Sequence, residues 1–440
     1  MKVSVIGLGK LGAPLAVVAN VTGGHNVIGI DDNPAFVNAV NDSASHLVEP
    51  LYREYLDKSE LRAYQTDDGY ASTAIASTDL TLIVVPTPST PDGSFSCDAV
   101  IKAVETIGHA LATKDAYHVV AVISTVSPGS MDKVQKHLER SSGKKVGQHI
   151  GLCYSPEFIA LGSVITNLEN PDFVLIGESD EVAGDVLEIF YHTIVGHLRP
   201  VYRMNYINAE IAKIALNAYV TMKISFANLL ARICEATEGA DCDIITRTIG
   251  SDRRIGPHYL KGGVPFGGPC FPRDNRALIA FMREQSVPHR LAEAVDATNE
   301  LQFLHILQLL RRCRPHVLAV LGLSYKPDTA VTDFALGARA VEWAIRNAIA
   351  VKAYDTHVKH SACVATVSDC VQGADVILLT NPNLATEELG RALESYAIVI
   401  DCWRVVPPAP NIVHLGVYHA YSRDGSGRLY WAPPSEATSA

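Results

Sequence analysis

One pattern occurs twice in this chain, and it leaves little freedom of architecture. "VSVIGLG…GIDDNP…LIVVPTP", beginning at Val3, is matched by "LAVLGLS…AYDTH…ILLTNP", beginning at Leu318. Each copy has a short apolar run, a glycine turn, a second strand ending on an acidic residue, and a third strand closing on a polar turn. Apolar runs of this length have no polar face, so they read as strands covered on both sides, as in parallel sheets. Helical-period segments alternate with them, which is the mark of βαβ units. "VSVI", "VIGI", "LTLIVV", "HVVAVI" and "FVLIG" read as parallel strands of one unit. "VLAVLG", "VKAYD", "DVILLT" and "AIVID" read as those of another. The expected fold class is α/β, with two Rossmann-like doubly wound domains joined by a long central helix.

That helix is expected at 205–235, a stretch free of Gly and Pro that would run about 45 Å, with Asn205 as a cap. Ile211, Ala215, Ala218, Met222 and Leu229 fall on one side, and Lys213, Asn217, Val220 and Ile224 on the other. Being apolar on both sides, the helix suits a central spine or the contact of a homodimer, while a plain core helix fits the pattern equally. The division is then 1–204, an N-terminal cofactor domain; 205–300, a central helical domain; and 301–440, a C-terminal domain. This agrees with the length of 440 residues at about 150 per domain. The closing "WAPPSEATSA" has no apolar periodicity and is expected to be disordered.

A hydrophobic content of 48% with 19% charged residues is that of a soluble chain. A net charge of -10 without a basic stripe argues against nucleic acid or an anionic membrane as partner. The chain opens on a strand rather than on a signal peptide, and no apolar run approaches the ~20 residues of a membrane span. Nine cysteines, an odd number without a CxxC pair, read as reduced thiols in the cytoplasm.

"VIGLGKLG" places Gly7, Gly9 and Gly12 as G-x-G-x-x-G between the first strand and a helix, with Lys10 and Leu11 inside the loop. The first glycine allows a tight turn, the second lets backbone approach a pyrophosphate, and the third lets helix and strand pack closely. Asp31 ends the next strand, where a carboxylate accepts hydrogen bonds from a ribose diol. No arginine in "DDNPAF" awaits a 2′-phosphate, so NAD is expected rather than NADP. A second feature is "GGPCFPRD", which sets Cys270 between two prolines and behind two glycines. A buried structural cysteine is the plain reading. A nucleophile would need a cation or a helix terminus nearby to favour its thiolate. Lys213, beside Asn217 on an otherwise apolar helix, is the best candidate cation, against the alternative of a lysine reaching out to solvent. His357, His360 and Cys363 have ligand-like spacing but no convincing fourth member, so no metal is expected.

With "VVPTPSTPDGSFS", "STVSPG", "SPEFIALGS…NPDFVLIG", "AEIAKIALNAYVTMKISFAN", "SDRRIGPHYLKGGVPFGGPCFPRD" and "LGLSYKPDT" in order, the chain resembles the UDP-glucose/GDP-mannose dehydrogenase family over nearly its full length. The resemblance implies NAD-dependent oxidation of a nucleotide sugar's C6 alcohol to a carboxylate in two hydride transfers. The aldehyde formed first would be captured by Cys270 as a thiohemiacetal, and the resulting thioester hydrolysed. By similarity Lys213 and Asn217 would steady oxyanions, and Asp274 would hold Lys213 or a water. Glu157 would activate the hydrolytic water, and Thr125 would position water beside the nicotinamide. Thr87 matches a cofactor-loop position. Phe158, Arg254, Tyr259, Gly267 and Lys326 match substrate-lining positions, and the "PEF" and "CFP" spellings favour UDP-glucose.

The chain departs from the family at Leu161, where a second glutamate is common, and at Asp333 and Trp403, where basic residues are common, although Arg404 follows. Pro265 and Pro269 replace small residues in the cysteine loop. Two other readings stay open at this stage: a two-electron β-hydroxyacid-type dehydrogenase, which needs no cysteine, and a non-catalytic cofactor or sugar-nucleotide binder.

Overall fold

The computed structural model describes residues 1–384, 389, 397–423 and 429–432, with side chains described up to residue 419. Two compact units emerge, Met1–Ala215 and Leu216–Ala440.

The first unit is built on eight strands: β1 Lys2–Ile6, β2 Asn26–Asp31, β3 Arg62–Gln65, β4 Leu80–Ile83, β5 His118–Val122, β6 Ile150–Tyr154, β7 Val174–Glu178 and β8 Val201–Met204. Their order is β3-β2-β1-β4-β5-β6-β7-β8. Strands β1 to β6 are parallel and wound in the 3-2-1-4-5-6 order of dinucleotide-binding folds. "FVLIG" corrects the sequence reading in part: β7 pairs parallel with β8 but runs antiparallel to β6, with Tyr154 opposite Gly177. A parallel return usually runs through a helix that carries the chain back along the sheet, as Gly12–Val21 does between β1 and β2, whereas residues 155–173 carry only the six-residue helix Val164–Glu169. The "SPEF" turn therefore stays at the carboxyl edge of the sheet. β4 and β5 are buried at every position, as their unbroken apolar runs require.

The second unit holds the rest of the long helix, the helices Cys242–Gly250, Phe271–Glu284 and Arg290–Cys313, and a second parallel sheet. Its strands are β9 Val317–Leu321, β10 Ala350–Tyr354, β11 Val376–Leu379, β12 Ile398–Asp401 and β13 Ile412–His414, in the order β10-β9-β11-β12-β13. The sequence repeat becomes a repeated device. Gly7 (φ +97°) and Gly322 (φ +101°) turn the chain out of β1 and β9. A Cβ on Gly12 would lie 1.8 Å from the Gly7 carbonyl oxygen, and one on Gly337 would lie 1.8 Å from that of Gly322. Asp31 accepts from Leu8 N at 2.6 Å and Asp355 from Leu323 N at 2.7 Å, each tying the acidic strand end to its glycine turn. A final hairpin pairs β14 Ala420–Arg423 with β15 Leu429–Ala432. Trp431 and Ala432, assigned to a disordered tail by the sequence, therefore belong to a strand, and the remaining tail residues, 433–440, lie outside the described residues.

The helix Tyr206–Glu235 forms as one 30-residue element, with Asn205 accepting from Asn208 N at its start. Its polarity is reversed. Glu210, Lys213, Asn217, Thr221, Ser225 and Asn228 form a buried stripe at helical spacing, while Tyr219, Phe226, Leu229 and Ile233 are exposed. By length and composition this helix could cross a membrane, which the sequence reading missed because its polar residues interrupt every apolar run. Those polar groups are satisfied by protein: Glu210 by the amides of Gly129 and Met131, Ser225 by Val295 O, and Asn228 by Gly263 N and Val264 O. They make it a structural helix of this fold.

Candidate active site

In the first unit, the carboxyl ends of β1, β4 and β5 gather three loops where the strand order reverses, the place where open α/β sheets bind ligands. Gly7 N donates to Ile30 O at 2.7 Å, and a Cβ on Gly7 would meet Val84 O at 2.2 Å, so this turn is closed to any larger residue. A Cβ on Gly9 would have nothing within 4 Å, leaving that backbone open to a bound phosphate. Leu11 precedes the helix Gly12–Val21, whose first turn carries no acidic residue to oppose an anion, and Lys10 is exposed beside it. Asp31 is buried and also accepts from Asn33 N at 2.7 Å, which fixes its carboxylate at the strand end. The Thr87 hydroxyl donates to Thr125 O at 2.7 Å, so these two loop candidates meet directly. The cradle fits the pyrophosphate and ribose of NAD.

Lys213 does not reach out to solvent. It is 5% exposed, donates from Nζ to Glu157 O at 2.7 Å, and lies 4.4 Å from the Phe158 ring centroid. Lys213, Glu157 and Phe158 are thus assembled within the first unit. Burial pushes the Glu157 carboxyl up to about 7, with the Tyr191 hydroxyl and the Lys213 charge pulling the other way. Such a value suits a general base at neutral pH.

In the second unit, Cys270 is the exposed member of nine cysteines, the others being buried or half-buried. It occupies the N-cap of the 14-residue helix Phe271–Glu284, with Pro272 in the first turn. The reading of a buried structural cysteine fails here. The positive end of the helix dipole favours a thiolate at this position. Asp274, one turn on, is 4% exposed and accepts from Asn217 Nδ2 at 2.5 Å. Gly268 has φ +82° and donates to Asp333 O at 2.7 Å, and a Cβ on Gly267 would meet Phe334 O at 2.8 Å. The 333–334 backbone therefore packs directly on the cysteine turn. Tyr259 (φ +60°) sets its ring edge to face against Phe271, next to Cys270, at 6.1 Å between centroids.

Other candidates lie differently. Arg254 has a side chain 88% exposed and pairs with Asp252 at 2.6 Å, so its own chain does not turn it toward the cysteine loop. Lys326 is half-buried in the turn after β9. Arg404 does not replace the basic residue missing at Trp403. Its guanidinium bonds Asp243 at 2.8 and 2.7 Å as well as Leu415 O and Gly262 O, and only 6% of the side chain is exposed. Leu161 packs on the apolar core of the first unit, as expected once a glutamate is replaced by leucine. Among the described residues no three His, Cys, Asp or Glu side chains converge as a metal site. Sequence reasoning missed Tyr191 and Glu210. Glu210 could have been found as the one acid in the first half of the long helix, whereas Tyr191 sits in an ordinary amphipathic helix and gave no signal.

Residues 1–195 match the NAD-binding domain of the UDP-glucose/GDP-mannose dehydrogenase family, and residues 207–301 match its central domain. The UDP-glucose 6-dehydrogenase AglM of Haloferax volcanii is 35% identical over 75% of this chain and 77% of its own. The GDP-mannose 6-dehydrogenase of Pseudomonas syringae is 31% identical over 75% of each chain. The solved UDP-glucose dehydrogenase of Pyrobaculum islandicum superposes with a TM-score of 0.84 at 28% identity, covering 94% of this chain and 98% of its own. Matches of this extent, together with the nucleotide cradle and the exposed cysteine, establish that the chain belongs to the UDP-glucose/GDP-mannose dehydrogenase family of NAD-dependent nucleotide-sugar 6-dehydrogenases.

Proposed function

We propose that the protein oxidises UDP-glucose to UDP-glucuronate through a covalent Cys270 thioester. The observation that carries this reading is Cys270 itself: an exposed thiol at the N-terminus of a 14-residue helix. Bound NAD supplies the hydride acceptor for each of the two oxidations. An aldehyde has no readily departing hydride, so the Cys270 sulfur adds to its carbonyl carbon and creates a tetrahedral alkoxide that has one. Lys213 and Asn217, one helical turn apart, donate to the oxyanion at each tetrahedral stage. Asp274 orients Asn217, and Glu157 takes a proton from the water that cleaves the thioester, releasing carboxylate and thiol. Thr125 holds water near the cofactor, and Thr87 and Asp31 shape the cofactor loops. Phe158, Tyr259, Gly267 and Lys326 line the sugar nucleotide, and Arg254 is assigned there from its motif alone. In this scheme 1–204 bind NAD, 205–300 carry the chemistry and 301–440 hold the nucleotide, in a cytoplasmic enzyme.

The test is a panel of UDP-, GDP-, TDP- and CDP-sugars with reduced cofactor counted per sugar consumed. UDP-glucose is expected to turn over fastest and to yield two NADH per sugar. A ratio of one would point to a two-electron dehydrogenase. A faster GDP-sugar would move the substrate assignment.

We further propose a homodimer through the long helix. Ala212, Ala215, Tyr219, Met222, Phe226, Leu229 and Ile233 recur at alternating spacings of three and four, the seam by which two helices pair. Tyr219, Phe226, Leu229 and Ile233 are between 47% and 56% exposed in the single chain. A symmetric pair buries the same stripe on both copies. Sedimentation equilibrium is expected to give twice the chain mass, and the Phe226→Glu, Ile233→Glu double variant a single chain mass. A wild-type protein sedimenting as one chain removes this proposal.

A further inference from the structure

A carboxylate is well placed as a base when one oxygen is held and the other is left within reach of the water. The structure fixes Glu157 from two directions. Lys213 Nζ donates to its backbone carbonyl at 2.7 Å, and the Tyr191 hydroxyl donates to its Oε1 at 2.9 Å. Tyr191 comes from the helix Glu181–Val195, is 4% exposed, and packs edge to face on Phe190 at 5.4 Å between centroids. Behind it stands Ser155, 1% exposed, with Oγ 3.0 Å from the Tyr191 oxygen and 2.8 Å from Leu175 O. A cavity of about 10 Å³, lined by Ser155, Glu157, Phe158, Asn167 and Tyr191 among others, adjoins the group and has room for about one water.

We infer that Tyr191, supported by Ser155, is a positioning residue that holds Oε1 of Glu157 and leaves its second oxygen to activate the water that hydrolyses the thioester. This rests on the reading of Glu157 as base in the proposed function. The titratable groups facing the pair are Lys213 from the long helix and Cys153 from β6. Burial holds the Tyr191 phenol well above its ordinary range, so it remains a donor at any working pH.

The sign of the effect follows from the direction of the bond. A base acts when ionised, so the hydrolytic step in the wild type falls as pH drops through about 7. A donor to the carboxylate favours the ionised form, and its removal moves that midpoint upward. Tyr191→Phe keeps the ring and deletes the donor. Measured with UDP-glucose and NAD as the pH profile of kcat, it is expected to shift the acid limb upward by about one unit or more. That means a loss of about tenfold below the limb. The rate returns toward wild type at high pH, whereas a merely structural defect would depress the whole profile evenly. Ser155→Ala is expected to shift the limb in the same direction by less. Glu157→Gln tests the underlying reading separately: it should abolish the limb and let the covalent thioester accumulate, as seen by intact mass. If Glu157→Gln hydrolyses normally, Glu157 is not the base and the inference falls with it. If Glu157→Gln fails while Tyr191→Phe keeps the wild-type midpoint, only the role of Tyr191 is overturned.

Discussion

Cys270→Ala is expected to abolish uronate formation, by on the order of 10⁴ or more, the scale on which deletion of a covalent nucleophile acts. Its fold should be unaffected. The side chain is exposed, and surface truncations usually change stability by no more than about 0.5 kcal/mol. Loss of activity with an unchanged melting temperature would therefore report chemistry. Cys270→Ser should retain only a trace of turnover, because an alkoxide is far less accessible near neutral pH than a thiolate at a helix N-terminus. The measurement is uronate by chromatography alongside NADH by absorbance. Wild-type uronate production by Cys270→Ala would mean that water adds to the aldehyde unaided, and the covalent scheme would be lost.

The sequence announces the parts of this molecule in which backbone sterics leave one solution. A Cβ at Gly12 would sit 1.8 Å from a carbonyl oxygen, so the glycine pattern could be read as a turn and a close approach without any coordinates. The continuous apolar runs of β4, β5, β9 and β11 likewise admit only strands covered on both sides. What escaped is information carried by partners distant in the chain. The direction of β7 depends on what the segment before it folds into, only the short helix Val164–Glu169, and not on its own composition. The long helix was read as apolar on two faces, whereas its polar residues line up inward because Gly129, Glu157, Val295, Val264 and Asp274 supply their bonds from elsewhere. Arg404 looked like a substitute cation until its buried pairing with Asp243 became visible. Cys270 was legible as a candidate from its stiff turn, but its exposure and helix terminus were not, since both follow from how 271–284 folds.

Lys213→Ala is expected to lower kcat by roughly 10² to 10³, in line with the loss of one preorganised oxyanion donor, with a smaller change in KM. The structure makes that loss composite. Lys213 also lowers the Glu157 carboxyl against the upward push of burial, so removing the ammonium leaves the base more protonated at neutral pH. The two parts respond differently to pH. Stabilisation of the oxyanion requires a donor in place and does not return at high pH once the donor is gone. The deficit in ionised Glu157 does return, because raising the pH ionises the carboxylate regardless of its neighbour. The profile of Lys213→Ala should therefore show an acid limb displaced upward and a plateau still about 10² below wild type. Lys213→Met keeps an unbranched side chain in the buried site while removing the ammonium that sits 4.4 Å from the Phe158 ring centroid, and so separates packing from charge. It should reproduce both defects while melting closer to wild type than the alanine variant. Near-normal kcat in Lys213→Met would show that the buried ammonium serves only to pin the Glu157 carbonyl, and the assignment of Lys213 to the oxyanion would have to be withdrawn.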